Sequence, residues 1–129
     1  MPTRLFNPTK ISTLPIPYKH GALVEAGSNI LYMSGQVGRT LPHGDILPDF
    51  EGQVRQTYVN IANVLGEVGM DFSNIIKMTT YITDRANLED MRRIRAEIFD
   101  GHKPAHTLVI AAGLASEEYM IEVDVTAAV

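Results

Sequence analysis

The sequence predicts an α+β fold (α/β in its alternation): a single mixed β-sheet with two helices packed on one face. Three observations carry that expectation. Residues 51–68 and 88–99 repeat apolar side chains at helical spacing, while the runs beside them are β-branched and alternate with a period of two. The resulting order, β-β-(β)-α-β-α-β-β, contains strand–helix–strand units, which favour right-handed crossovers and at least one parallel pair. The last run carries acids on one side only, so one face of the sheet suits a core and the other does not. No repeat or linker interrupts the chain, and residues 1–129 are expected to form one domain.

Taken in order, Pro2, Pro8, Pro15 and Pro17 keep the first twenty residues out of helix by removing backbone donors. Residues 23–26 and 30–34 are apolar runs split by Gly27-Ser28-Asn29, and they read as an antiparallel hairpin. Gly35, Gly38, Pro42, Gly44 and Pro48 mark a loop, with a short strand near Ile46-Leu47. In the first helix Val54, Tyr58, Ile61, Leu65 and Val68 share one face, with Asp49 as N-cap and Gly69 as the residue beyond the C-cap. Residues 75–83 form a strand, with Ile76, Met78, Thr80 and Ile82 opposite Lys77, Thr79, Tyr81 and Thr83. Asn87 caps the second helix, with Asp90 in a capping-box-like position, and Gly101 ends it. Its apolar face is Leu88, Met91, Ile94 or Arg95, and Ile98. Residues 106–111 and 120–126 are the closing strands.

The last strand separates two environments. Tyr119, Ile121, Val123 and Val125 suit a helix-covered core, whereas Met120, Glu122, Asp124 and Thr126 point the other way. Carboxylates in mid-strand are too costly to bury unpaired. Their face is expected to meet solvent, a polar cavity or another subunit's polar groups.

Composition excludes several function classes. At 45% hydrophobic and 20% charged, the chain is an ordinary globular sequence with a net charge of −4. Its one dense basic cluster, Arg92, Arg93 and Arg95, is interleaved with Glu89, Asp90 and Glu97 and reads as a solvated helix face, so nucleic acid is disfavoured as a partner. No apolar run is long enough for a bilayer span, and the first residues lack a signal-type apolar core; membrane is not expected and the cytoplasm is. With no cysteine there is no thiol chemistry. His20, His43 and His102 show no ligand spacing, so no metal is expected. Neither a nucleophile elbow nor a phosphate-binding glycine loop is present.

Several short stretches, in shared order and spacing, carry a resemblance. They are Ile16-Pro17-Tyr18, Leu31-Tyr32-Met33-Ser34-Gly35-Gln36, Gln53-Val54-Arg55-Gln56-Thr57 and Ile76-Lys77-Met78-Thr79-Thr80-Tyr81. Lys103-Pro104-Ala105-His106-Thr107 and Ile121-Glu122-Val123-Asp124-Val125 complete the set. Over nearly its whole length the chain resembles the reactive intermediate deaminase family (RidA/YjgF). The resemblance implies a chorismate-mutase-like fold and a homotrimer whose sheets form a central barrel, with clefts at the subunit interfaces. It also implies cofactor-independent hydrolysis of enamines or imines to carbonyl compounds and ammonia. Residue by residue, it makes Tyr18 a cleft-lining aromatic, and Ser34 and Gly35 a ligand-facing strand end. Glu122 becomes the acid associated with the attacking water, with Asp124 in place of a more usual Glu. His106 stands where the family has a substrate-carboxylate arginine, and Leu108 where cysteine is frequent. Asp84-Arg85-Ala86-Asn87 represents an Asn/Asp-containing stretch before the second helix.

The chemistry turns on His106. Arginine offers a charged planar fork for a carboxylate; histidine near neutral pH is mostly uncharged and donates one hydrogen bond. A nearby Glu122 would raise the histidine's pKa. Three roles are open to His106: binding an anionic or polar ligand, acting as acid/base partner to Glu122, or serving as a structural histidine. Arg39, just beyond the Ser34-Gly35 stretch, is a candidate for the missing guanidinium, against the plainer reading of a solvated loop arginine. The expected ligand is a small polar or carboxylated metabolite, and the alternative is a non-catalytic ligand-binding, regulatory or chaperone-like trimer.

Overall fold

Two helices lie on one side of a five-stranded sheet in the computed structural model, which describes residues 3–129. Pro2 lies outside those residues, and from residue 3 to 20 the chain is free of helix. The strands are β1 (Thr3–Phe6), β2 (Gly21–Val24), β3 (Ile30–Tyr32), β4 (Gln36–Val37), β5 (Ile75–Ile82), β6 (Ala105–Ile110) and β7 (Ile121–Ala128). The helices are α1 (Phe50–Glu67) and α2 (Leu88–Phe99).

In the main sheet the order is β3-β7-β5-β6, with β4 also on β7. The crossover from β5 through α2 returns as β6 in parallel, and β7 inserts antiparallel on the other side of β5. This is the mixed sheet that alternating strand–helix units require. Ile121, Val123, Val125 and Ala127 of β7 join Met78 and Ile82 of β5 in one cluster with Val54, Tyr58, Ile61 and Leu65 of α1 and Met91 and Ile94 of α2. The opposite face, with Lys77, Thr79, Tyr81, Glu122 and Asp124, is partly or fully open.

Both ends of α1 follow from its sequence. Asp49 accepts a hydrogen bond from the Gly52 N–H at 3.0 Å, and Gly69 has φ +74°, where a Cβ would be strained. The Met70 N–H donates to Leu65 C=O and the Gly69 N–H to Gly66 C=O, a Schellman ending. The start of α2 differs from expectation. Asn87 makes no side-chain cap; instead Asp84 accepts from the Ala86 N–H and a short 3₁₀ turn, Arg85–Asn87, leads into the helix. Asn87 is already near helical φ and ψ, so the capping position moved three residues upstream.

The expected hairpin of residues 23–26 with 30–34 does not form. Gly27 makes the turn (φ +88°), but β2 pairs with β1 and β3 pairs with β7. A strand as buried as β7 leaves costly unpaired groups unless both its edges are filled, and β3 and β4 fill one of them. Near Ile46 a single bridge to Arg39 replaces the expected strand.

Between β3 and β4, residues 33–35 oppose only 124–125, because Tyr32 pairs with Thr126 and Gln36 with Val123. That extra residue is a β-bulge, a device that re-aims side chains locally. Buried Gln53 of α1 ties three neighbouring segments together. Its Nε2 donates to Leu47 C=O (2.8 Å) and Glu118 C=O (2.9 Å), and its Oε1 accepts from the Met120 N–H (2.8 Å). On the outer faces of α1 and α2, Arg55 and Arg93 bridge Glu51 and Glu97, exposed pairs that solvent screens and that add little to stability.

No helix among the described residues is long and apolar enough to cross a membrane.

Candidate functional site

Side-chain alternation along β5, β6 and β7 distributes the chemistry of this chain over two cavities. The first opens on the uncovered face of the sheet and has a volume of about 550 Å³. Ser34, Gly35, Tyr81, Val109, Glu122 and Asp124 line it, and its lining includes no Lys or Arg. Glu122, Tyr81 and Val109 share one cross-strand row, which sets the carboxylate beside a phenol and an aliphatic wall. The bulge at residues 33–35 turns the Ser34-Gly35 backbone toward Glu122. A Cβ on Gly35 would collide with the Glu122 Oε2 and lie 2.9 Å from its Cδ. Glycine at 35 leaves room for the Glu122 carboxylate in this position, a matter of close approach and not of φ.

The second cavity, about 240 Å³, lies on the helix side at the β6 edge. Tyr18, Leu108, Met91, Arg92, Arg95 and His106 border it. Here the structure departs from the expected pairing of His106 with Glu122. His106 occupies the row of Met78 and Val125, facing the helices, whereas Glu122 faces the other way. Within one chain the two residues cannot act on one atom. The Tyr18 hydroxyl accepts from the Leu14 N–H (3.0 Å) and lies 3.3 Å from His20 Nε2, which fixes the ring at the cavity mouth.

His106 is held by two groups. Its Nδ1 lies 2.7 Å from Arg95 Nη1, and its Nε2 lies 2.9 Å from Thr80 Oγ1. A guanidinium can only donate, so Arg95 presents an N–H to the imidazole, while the Thr80 hydroxyl pairs with Nε2. Nη1 also lies 3.0 Å from Nε2, and a donor that near both ring nitrogens sits over the ring face. Burial pushes the imidazole pKa down to about 3, with the cations Arg95, Lys77 and Arg92 acting in the same direction. Within one chain the charged group beside His106 is a guanidinium and not the Glu122 carboxylate. His106 is neutral at physiological pH.

Arg39 stays apart from both cavities. Its Nη1 donates to the Tyr119 hydroxyl at 2.8 Å, and its guanidinium packs against Gly44. Sequence reasoning read Arg95 with Arg92 and Arg93 as a solvated face, while leaving it as an alternative to Ile94 on the apolar stripe, and gave it no functional role. Arg92 and Arg93 do pair outward with acids, but Arg95 is only 3% exposed. The signal was its spacing: Arg95 follows Met91 by four and precedes Phe99 by four, on the stripe that α2 buries. Among the described residues no cluster of His, Asp and Glu is disposed to hold a metal ion.

Fold and site together define a class: α+β proteins whose single mixed sheet carries two helices on one side and an acid-lined cavity on the other. More narrowly, residues 14–129 match the family described as Endoribonuclease L-PSP, and the chain belongs to this family, that of the RidA/YjgF (Rid) proteins. It is 34% identical over 108 residues to the RutC family protein YjgH of Escherichia coli, covering 82% of this chain and 81% of that one. To the 2-iminobutanoate/2-iminopropanoate deaminase of Rattus norvegicus it is 29% identical over 107 residues, covering 81% and 78% respectively. The crystal structure of the Rid-family protein YyfB from Yersinia pestis superposes with a TM-score of 0.89 at 25% identity, over 100% of both chains.

Proposed function

We propose that this chain is a cytoplasmic Rid-family enzyme that binds a small polar or carboxylated metabolite and hydrolyses an enamine or imine to a carbonyl compound and ammonia, without a cofactor. The observation that carries this reading is the Glu122 carboxylate lying beside Gly35, where a Cβ would meet it, in an open cavity. A carboxylate so placed can orient a water and take its proton as the oxygen bonds to the C=N carbon. It returns that proton to nitrogen, giving the carbinolamine; the hydroxyl proton then passes through the same carboxylate to nitrogen, the C–N bond breaks and ammonia leaves as the carbonyl forms. Such general acid–base work contributes typically about 10²–10⁴-fold. The relationship to a 2-iminobutanoate/2-iminopropanoate deaminase supports the same reaction class. The acid-lined cavity would repel a phosphodiester backbone, which speaks against nucleic acid as substrate.

The partition of side chains between faces supports an assembly as well. A cleft that uses Tyr18 and His106 together with Ser34, Gly35 and Glu122 must draw them from two copies of the chain. A homotrimer with its sheets around a central barrel does this at each of its interfaces. A coupled assay that generates 2-iminobutyrate and 2-aminoacrylate in situ tests the reaction. Wild-type acceleration that Glu122→Gln removes is expected; inertness of the wild type toward both compounds would sink the proposal. A monomer mass by light scattering at micromolar concentration would sink the shared cleft.

A further inference from the structure

Arg95 is a buried cation with no acid beside it. The ion pairs among the described residues run through Arg55, Arg92 and Arg93, and Arg95 joins none of them. Its recorded partners are the neutral ring of His106 and, at 3.4 Å, the Pro17 carbonyl. Neither carries a compensating charge. A guanidinium withdrawn from water without an anion is costly, and burial lowers its pKa accordingly. The space it borders is open: a cavity of about 240 Å³, the volume of roughly eight waters at about 30 Å³ each. The lining contains two guanidiniums, Arg92 and Arg95, and no carboxylate. Arg92 leans outward to Glu89 at 3.3 Å, so Arg95 is the uncompensated one. Leu14, Ile16, Met91 and Leu108 supply apolar walls around it.

We propose that Arg95 is the carboxylate anchor of this cavity, the role that the resemblance gives to an arginine at position 106. His106 is a positioning residue: held by Thr80, its ring packs within 3.0 Å of one Nη of the fork and leaves other N–H groups for the anion. The guanidinium expected at position 106 thus enters the same cavity from α2. The inference rests on the reading of the chain as a binder of small carboxylated metabolites and names the residue that holds their carboxylate. The lack of an acid in the lining disfavours a cationic amine as the group bound at Arg95.

The test compares 2-oxobutyrate with its uncharged amide, 2-oxobutanamide, as binding probes by calorimetry or ligand-observed NMR. Wild type is expected to prefer the carboxylate, and Arg95→Gln to lose about 10- to 100-fold of carboxylate affinity with amide affinity unchanged. Arg95→Lys should fall between, since it keeps charge and loses the fork. His106→Gln, which preserves an acceptor for Arg95, should retain most of the preference. Equal affinity for both probes in wild type, absence of binding, or unchanged selectivity in Arg95→Gln would overturn the proposal. Should Arg95→Gln fail to fold, the wild-type Arg95 Nε–H resonance decides: it must shift on titration with 2-oxobutyrate and not with the amide. Turnover of 2-iminobutyrate is measured on the same proteins. Carboxylate binding at Arg95 without turnover keeps the anchor and removes the deaminase reading, whereas turnover indifferent to Arg95→Gln does the reverse.

Discussion

Acidification should unfold this protein partly through one imidazole, and the size of that effect can be worked out from its surroundings. In the unfolded chain a histidine titrates near about 6.5. In the fold, burial against Thr80 with Arg95, Arg92 and Lys77 nearby holds His106 at about 3. Between those values the unfolded state binds a proton that the folded state refuses, so stability rises with pH across the window. The penalty begins as pH falls below 6.5, grows by about 1.4 kcal/mol per unit, and saturates below about 3. At pH 4.5 it amounts to roughly 2.7 kcal/mol. Glu51, Glu97 and Asp71, whose pKa values hydrogen bonding lowers, also cost stability in acid. A variant that lacks only the imidazole isolates its share. His106→Gln keeps an acceptor for Arg95 and a donor for Thr80 but does not titrate. Urea unfolding at pH 7.5 and 4.5, at one protein concentration, should show wild type losing roughly 2.7 kcal/mol more than the variant. A difference below about 0.5 kcal/mol, or a His106 NMR titration centred near 6.5, would refute the derivation.

Other substitutions probe separate parts of the structure. Gly35→Ala drives a methyl into the Glu122 carboxylate, which can swing away; thermal stability should change by less than about 1 kcal/mol while turnover of 2-iminobutyrate falls at least about tenfold. Gln53→Leu leaves the Leu47 and Glu118 carbonyls and the Met120 N–H without their partner, and should cost about 3 kcal/mol in chemical denaturation; a loss under about 1 kcal/mol would contradict the bonding described. His106→Arg does not simply restore the family arrangement, because a second guanidinium meets Arg95. It should destabilise by about 3 kcal/mol, with Arg95→Leu in the same chain recovering most of it, and a single variant as stable as wild type would refute the placement of Arg95.

The sequence was most readable where a pattern is periodic. α1, β5, α2 and β7 stand within two residues of their expected bounds, because amphipathic spacing and strand alternation are local properties. Strand partners were less readable. Gly27 turns as expected, yet β2 and β3 part company because β7 needs a neighbour and residues 3–6 supply β2 with one. The open-face cluster of Ser34, Gly35 and Glu122 was legible from the acids in mid-strand together with the resemblance. The helix-side cavity was not. Its defining feature, a guanidinium aimed inward between Met91 and Phe99, sits in a charged run; the four-residue spacing left Arg95 as an alternative on the apolar stripe, and the phase of α2 against the sheet decides it.

The division of β5, β6 and β7 into a guanidinium-bearing side and a carboxylate-bearing side has a genetic consequence. In the assembly proposed above, each cleft is a joint product of two copies, so lesions on opposite sides are recessive to one another when mixed. A chain carrying Arg95→Gln still offers an intact Glu122 wall, and one carrying Glu122→Gln an intact Arg95 wall. Unfolded together and reassembled at random in equal amounts, two dead proteins would regain roughly a quarter of the clefts. Were both walls presented by a single copy, no proportion of mixing could revive either.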